Sequence, residues 1–232
     1  MKQRSEFSNC GSEWRVCVML ESIVATCRAI ASEPKLVMLY HLSTEDELPV
    51  TKLARRSRLG LSVASGHLRH LAAAGLVARR RAGRFVYCRL GAGGQRRGEF
   101  APAGLLRRAL GDPPWATTGW GSRQAVHLSA RAGKAVPAEI ARVLEVVFDA
   151  ASALGNRRRL ALLGCLLRRR QGATDAMAVE LGMSCLACLR HLDKLRRRGY
   201  ARERGAEVWV AAKRHKTPFH HALLALARPS LA

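Results

Sequence analysis

Apolar residues along the chain recur at helical spacing, and the same spacing returns 124 residues later. Leu20, Ile23, Val24, Cys27 and Ile30 fall at i, i+3, i+4, i+7 and i+10, one face of a helix. Their counterparts are Leu144, Val147, Phe148, Ala151 and Leu154. Leu36, Leu39 and Leu42 map onto Leu160, Leu163 and Leu166, and His67, Leu68, Leu71 and Gly75 onto His191, Leu192, Leu195 and Gly199, with no gap. A His-Leu-x-x-Leu-x-x-x-Gly string recurring in register points to duplication of one unit.

The pattern predicts the same elements twice. A helix over Val16–Ala31 is followed by Ser32-Glu33-Pro34, a helix start, and by a second helix with Leu36, Leu39 and Leu42 inward. Thr51–Ser57 reads as a short helix, Leu59-Gly60-Leu61 as a turn, and Ser62 as the cap of a helix running to Ala74. Gly75 supplies a left-handed stop, and a hairpin follows with Arg81-Ala82-Gly83 as its loop. In the second unit Asn156 takes the place of Ser32, and a helix after Ser184 ends before Gly199. The second hairpin, around Gly205-Ala206, reads as one residue out of register with the first. Ala103–Leu110 and Pro218–Arg228 are expected as trailing helices. Residues 111–138, rich in turn formers and containing Trp115 and Trp120, read as a linker. The fold class is therefore mainly α with small β-hairpins, in units 16–110 and 139–228.

Charge changes the picture. The chain of 232 residues carries 40 Lys plus Arg against 17 Asp plus Glu, a formal net charge of +23, which draws it to polyanions. Seven of the cations are Lys and the rest Arg, a bias that GC-rich coding also produces. Seven Cys without framework spacing suggest a reducing, cytoplasmic setting. No run of eighteen apolar residues is present, so no membrane span is expected.

Helix, helix, helix-turn-helix, basic hairpin and trailing helix is the order of winged-helix regulators. The string Ser62-Val63-Ala64-Ser65-Gly66-His67-Leu68-Arg69-His70-Leu71-Ala72-Ala73-Ala74-Gly75-Leu76-Val77 resembles the recognition helix and first wing strand of the ArsR family of bacterial repressors. The likeness covers residues 20–90 well and 144–214 more weakly, because Leu186 and Leu189 stand where Ser62 and Ser65 do. Family members are usually homodimers joined through their first and last helices. The resemblance thus implies two winged helix-turn-helix domains in one chain, an intramolecular pseudo-dimer that leaves room for further homodimerisation. The family's metal-sensing Glu-Leu-Cys-x-Cys string reads Glu47-Leu48-Pro49-Val50-Thr51 here and holds no thiol.

The expected partner is double-stranded DNA. Ser62, Ser65, Gly66 and Arg69 are placed to reach base edges, with His67 and His70 on the same helix, and His67 and His191 suit packing or a phosphate hydrogen bond. Arg79, Arg80, Arg81 and Arg84 on the first hairpin, and Arg190, Lys194, Arg202 and Arg204 in the second unit, are candidate phosphate contacts. Cys185 and Cys188 form an i,i+3 pair at a helix start, a candidate thiol sensor. His215, His220 and His221 read as solvent-facing. With no phosphate-cradling Gly loop, nucleophile motif or paired metal-ligand string, neither an enzyme nor a cofactor is expected. A transcriptional regulator, in particular a repressor, is the leading expectation, and an architectural, nonspecific nucleic-acid-binding protein the alternative.

Overall fold

The computed structural model describes residues 21, 23–91, 102–118, 128–129, 132, 134–205, 207–212 and 217–227. The protein is mainly helical with two small antiparallel sheets of three strands each. Residues 23–30 belong to helix α1, and most of the expected start of that helix, 16–20, lies outside the described residues, as does Trp120. Next come α2 (Glu33–Thr44), β1 (Leu48–Pro49), α3 (Val50–Arg56), α4 (Leu61–Ala73), β2 (Val77–Ala82), β3 (Phe85–Leu90), α5 (Pro102–Gly111) and α6 (Pro113–Thr117). The second half comprises α7 (Ala138–Leu154), α8 (Arg157–Arg169), β4 (Gln171–Ala173), α9 (Thr174–Glu180), α10 (Cys185–Arg197), β5 (Ala201–Glu203), β6 (Val208–Ala211) and α11 (Pro218–Ala227). The pairs α3/α9 and α4/α10 keep the 124-residue offset at both ends. Among the described residues no helix is long and apolar enough to cross a membrane.

Local chemistry explains the shared boundaries. Gly75 and Gly199 adopt φ of 69° and 72°, and after each the chain closes the helix with Leu76 N–H on Leu71 O and Tyr200 N–H on Leu195 O, both 2.9 Å. The left-handed conformation that favours glycine is what stops both helices. The turn before α4 departs from expectation. Arg58 takes the left-handed position at φ 55°, where the second unit has Gly182 at 57°, and Gly60 rather than Ser62 is the N-cap of α4. Ser62 is the second helical residue. Ser184, which does match the Gly60 position, caps α10 by accepting a hydrogen bond from Ala187 N–H at 3.3 Å.

Both sheets gain a strand too short for the sequence to announce: Leu48 pairs with Cys88, and Gly172 with Trp209. In the first hairpin Val77 pairs with Leu90 and Ala82 with Phe85, so the loop is Gly83-Arg84. In the second, Ala201 pairs with Ala211, three residues short of the position the repeat offset would give. That hairpin is shortened, not slipped by one.

One hydrophobic core runs through both halves. At its centre α7 is buried on every side, through Ile140, Val143, Leu144, Val146, Val147, Ala150, Ala151, Ala153 and Leu154. It packs against α2 from the first half and against α5, α6, α8 and α11. Arg28 on α1 donates through Nε to Gly155 O at 3.0 Å, and Arg157 meets Glu21 at 3.0 Å. The segment read as a linker is partly core: Asp112 caps α6 through Trp115 N–H, Ala116 is fully buried, and Trp115 meets Phe219 edge-on at 6.5 Å.

His220, expected in solvent, is fully buried. Its Nε2 lies 3.4 Å from Asp149 Oδ2 and its Nδ1 2.8 Å from Thr217 Oγ1. Arg198 also donates to Asp149, which is itself buried. Each group fills a valence the others need, since an isolated charge at this depth costs several kcal/mol. His221 is exposed; His215 and the side chain of Leu226 lie outside the described residues.

Two outcomes test this packing. Leu223→Ala on α11 removes a buried side chain from the shared core and is expected to lower unfolding stability by about 2–5 kcal/mol in a urea titration. Arg58→Gly is expected to raise stability by up to about 1 kcal/mol, because relief of the left-handed strain outweighs the added freedom of the unfolded chain.

Candidate nucleic-acid interface

Ala64, Leu68 and Leu71 are buried and fix α4 to the body, which turns the opposite face outward. Ser62, Arg69 and His70 are exposed there, and Ser65, Gly66 and His67 are half-buried. No side chain caps the first turn of α4, so the Ser62 hydroxyl is not engaged as the cap. Leu61 and Val63 are also exposed at this end, an apolar contribution the sequence reading did not weigh.

The first hairpin approaches the same end of the helix. Thr51, Leu61, Ser65, Arg79, Arg84 and Phe85 line a depression of about 200 Å³ between α3, α4 and the hairpin. It places hydroxyls, guanidinium groups and an apolar floor side by side. Arg84, in the two-residue loop, stacks on Phe85 at 5.1 Å, and Arg81 Nε donates to Gly83 O at 3.4 Å. Arg80 does something else: it pairs with Glu47 (2.6 Å) and lies over the Tyr87 ring at 5.2 Å, fastening the hairpin to the corner after α2. Of the four arginines expected to grip phosphate, the structure brings Arg79 and Arg84 to the cleft with Ser65 and diverts Arg80 to a carboxylate.

Cations on α3 and its turn were missed. Lys52 and Arg56 pair with Glu45, while Arg55 and Arg58 are exposed and line, with Lys134, a second depression of about 500 Å³. Comparing the two units position by position reveals them. Helix α3 carries Lys52, Arg55 and Arg56 and no acid; its counterpart α9 carries Asp175 and Glu180 and no cation.

The second unit presents a different surface. Leu186 and Val179 are exposed where the first unit has Ser62 and Arg55, and Asp193, in the place of Arg69, is paired with both Arg196 (2.7 Å) and Arg197 (2.6 Å). Those guanidinium groups hold its carboxyl below the usual carboxylate range. Arg190, Lys194, Arg202 and Arg204 are exposed. Burial first, and then the cations Arg159, Arg198 and Arg197, press the Lys194 pKa below its ordinary value.

Cys185 is exposed and Cys188 buried, both as free thiols. A helix start lowers the pKa of a thiol that its dipole reaches without competing burial. Cys188 departs from this, pushed up to about 11 by burial first and then by Cys185 and Cys165. A thiol protonated at neutral pH is a poor nucleophile. Among the described residues no group of three or more His, Cys, Asp or Glu is arranged to hold a metal.

His67 and His191, at equivalent positions, are both shifted below the ordinary 6.5, by burial first and then by neighbouring positive charge, Lys35 at His67 and Arg159 at His191. His41 is lowered by burial and Arg56. Their folded forms release protons that the unfolded chain retains. The stability they contribute is therefore complete above about pH 6.5 and lost as pH falls through that value toward the lowered pKa. Thermal melts between about pH 7.5 and 5.5 are expected to show falling stability, with a shallower fall in the triple variant His41→Gln, His67→Gln, His191→Gln. No family model, curated protein or solved structure matches the chain.

Proposed function

We propose that the chain is a sequence-specific DNA-binding transcriptional regulator, a repressor that occludes a promoter, built as two winged helix-turn-helix units in one chain. The observation that carries this reading is the cleft where the exposed end of α4 meets the first hairpin, with Ser65, Arg79 and Arg84 on one lining and Ser62 and Arg69 on the adjoining face. A helix whose outer face bears hydroxyls and a guanidinium suits base edges in a major groove, and arginines one hairpin away suit the flanking phosphates. Arg55 and Arg58 extend the cationic surface beyond the cleft. The resemblance of residues 20–90 to ArsR-family repressors points the same way. The reading includes a cytoplasmic location, no catalytic activity and no cofactor.

The two units then contribute unequally. The first specifies sequence through α4. The second adds backbone contacts through Lys194, Arg202 and Arg204, with Arg190 on a face that has lost its serines. The second reading, nonspecific architectural binding, is favoured by the net charge of +23. Salt separates the two readings, since nonspecific binding is almost wholly counterion release, whereas specific binding keeps a sequence-dependent term.

Selection of bound sites from randomised DNA, followed by titration of the selected and a random duplex at several salt concentrations, tests the proposal. A selected site bound far more tightly than random DNA at every salt concentration is the expected result; equal binding leaves the architectural reading. On the selected site Arg69→Ala is expected to reduce discrimination at one base position by about 1–3 kcal/mol. The pair Arg202→Ala, Arg204→Ala is expected to weaken all sequences alike and flatten the salt slope.

A further inference from the structure

The depression of about 500 Å³ that Arg55, Arg58 and Lys134 line shares no lining residue with the α4 cleft. Three parts of the chain meet there: α2 through Tyr40 and His41, the end of α3 with its turn, and residues 134–137 leading into α7. Its lining holds cations and no acid. Arg56 is met by Glu45, but among the described residues Arg55, Arg58 and Lys134 have no carboxylate partner. Like charges gathered around one depression repel one another, and a bound anion relieves that repulsion. The positive field reaches His41, whose pKa is held below its ordinary value by burial first and then by Arg56, against an opposing pull from Glu45.

The second unit builds the same corner without this chemistry. At the 124-residue offset Tyr40, His41, Arg55, Arg56 and Arg58 become Gly164, Cys165, Val179, Glu180 and Gly182. There the polar groups close on one another, with Cys165 Sγ donating to Glu180 at 3.4 Å and Arg169 pairing with it at 2.9 Å. The helices form with none of the five side chains, so the fold does not demand the cations of the first unit. Arg58 makes the point most directly. It holds the left-handed conformation at φ 55°, where Gly182 stands at 57°. Glycine takes that conformation freely and arginine only at a cost, so what the arginine adds there is its guanidinium.

Two guanidinium forks and an ammonium bring more charge and more donors than a single carboxylate uses, and they match the several anionic oxygens of a phosphate. Tyr40, Ala135 and Val136 border the cations and suit the uncharged part of a ligand. We propose that this depression is a binding site for a small phosphorylated molecule, with the phosphate held by Arg55, Arg58 and Lys134. The inference does not rest on DNA recognition by α4, because cleft and depression have separate linings, and either reading can fail without the other.

Isothermal titration of inorganic pyrophosphate into the full chain, freed of nucleic acid and held at about 0.15 M salt, tests the site. One saturable equivalent per chain is expected. Arg55→Gln and Lys134→Gln are each expected to weaken binding about tenfold, Arg58→Gly to weaken it as much while the thermal melt rises, and the three together to abolish saturation. Arg89→Gln with Arg107→Gln, which removes two exposed arginines from a different hollow that also holds Asp46 and Glu47, is expected to keep the affinity within about twofold. By NMR the His41 ring is expected to titrate at higher pH when pyrophosphate is bound, because the anion offsets Arg56. All substituted positions are exposed, and thermal melts of each variant check that the fold is kept. A wild-type chain that shows no saturation up to about 10 mM overturns the proposal, and weaker binding of a random duplex by the triple variant then assigns these cations to DNA phosphates instead. Arg89→Gln with Arg107→Gln weakening binding as much as the site variants also overturns it, since that marks diffuse attraction to a chain of net charge +23. So does a His41 that titrates at the same pH with and without pyrophosphate.

Discussion

The burial of α7 is the constraint on which the other elements depend. From Val143 to Leu154 the helix is almost wholly enclosed and therefore needs cover on most of its sides, which elements from both halves of the chain supply. α2 approaches from the first half, α8 and α11 from the second, and α5 and α6 from the segment between. Asp149 tightens the requirement. A carboxylate at that depth is tolerable only with its partners in place, so the end of α10, through Arg198, and the start of α11, through His220 and Thr217, are held in register with α7. Helix α10 is positioned at one end by a buried polar cluster, while α4 is positioned by Ala64, Leu68 and Leu71 alone among its own residues.

The sequence made the helices legible because their apolar spacing survives in both units, and boundaries found in one predicted the other. What escaped it was short or conformational. Two-residue β1 carries no alternation to detect. The left-handed residue before α4 is an arginine, which bears no turn signature, so the cap was assigned to Ser62 instead of Gly60. Pro113-Pro114-Trp115 read as a breaker, yet proline is at home in the first turn of a helix, and the indole finds cover against Phe219 and Arg108. His220 looked exposed because its partner lies 71 residues away.

The candidate site was readable in kind and incomplete in detail. Residue type and position nominated Ser65, Arg79 and Arg84, which the fold gathers around one cleft. Sequence could not show that Glu47 claims Arg80, because that pairing depends on the approach of the hairpin to the corner after α2. The contribution of Arg55 emerges only by comparison with Val179. The buried faces of the paired helices stayed largely apolar, while several exposed positions changed in character, Arg55 to Val179, Ser62 to Leu186 and Arg69 to Asp193. Packing therefore conserved the backbone, and the surfaces were left to specialise.

A core completed by two halves of one polypeptide has a consequence for assembly. Joined through α5, α6 and the residues up to α7, the halves meet at an effective concentration fixed by the connecting chain and not by how much protein is present. Dilution leaves the pairing intact, and exchange of halves between molecules finds no opening. A substitution in one half also has no obligatory twin in the other. Freed from the symmetry that binds the subunits of a homodimer, a cationic α3 and an acidic α9 can coexist in every molecule, in a one-to-one ratio that synthesis itself guarantees.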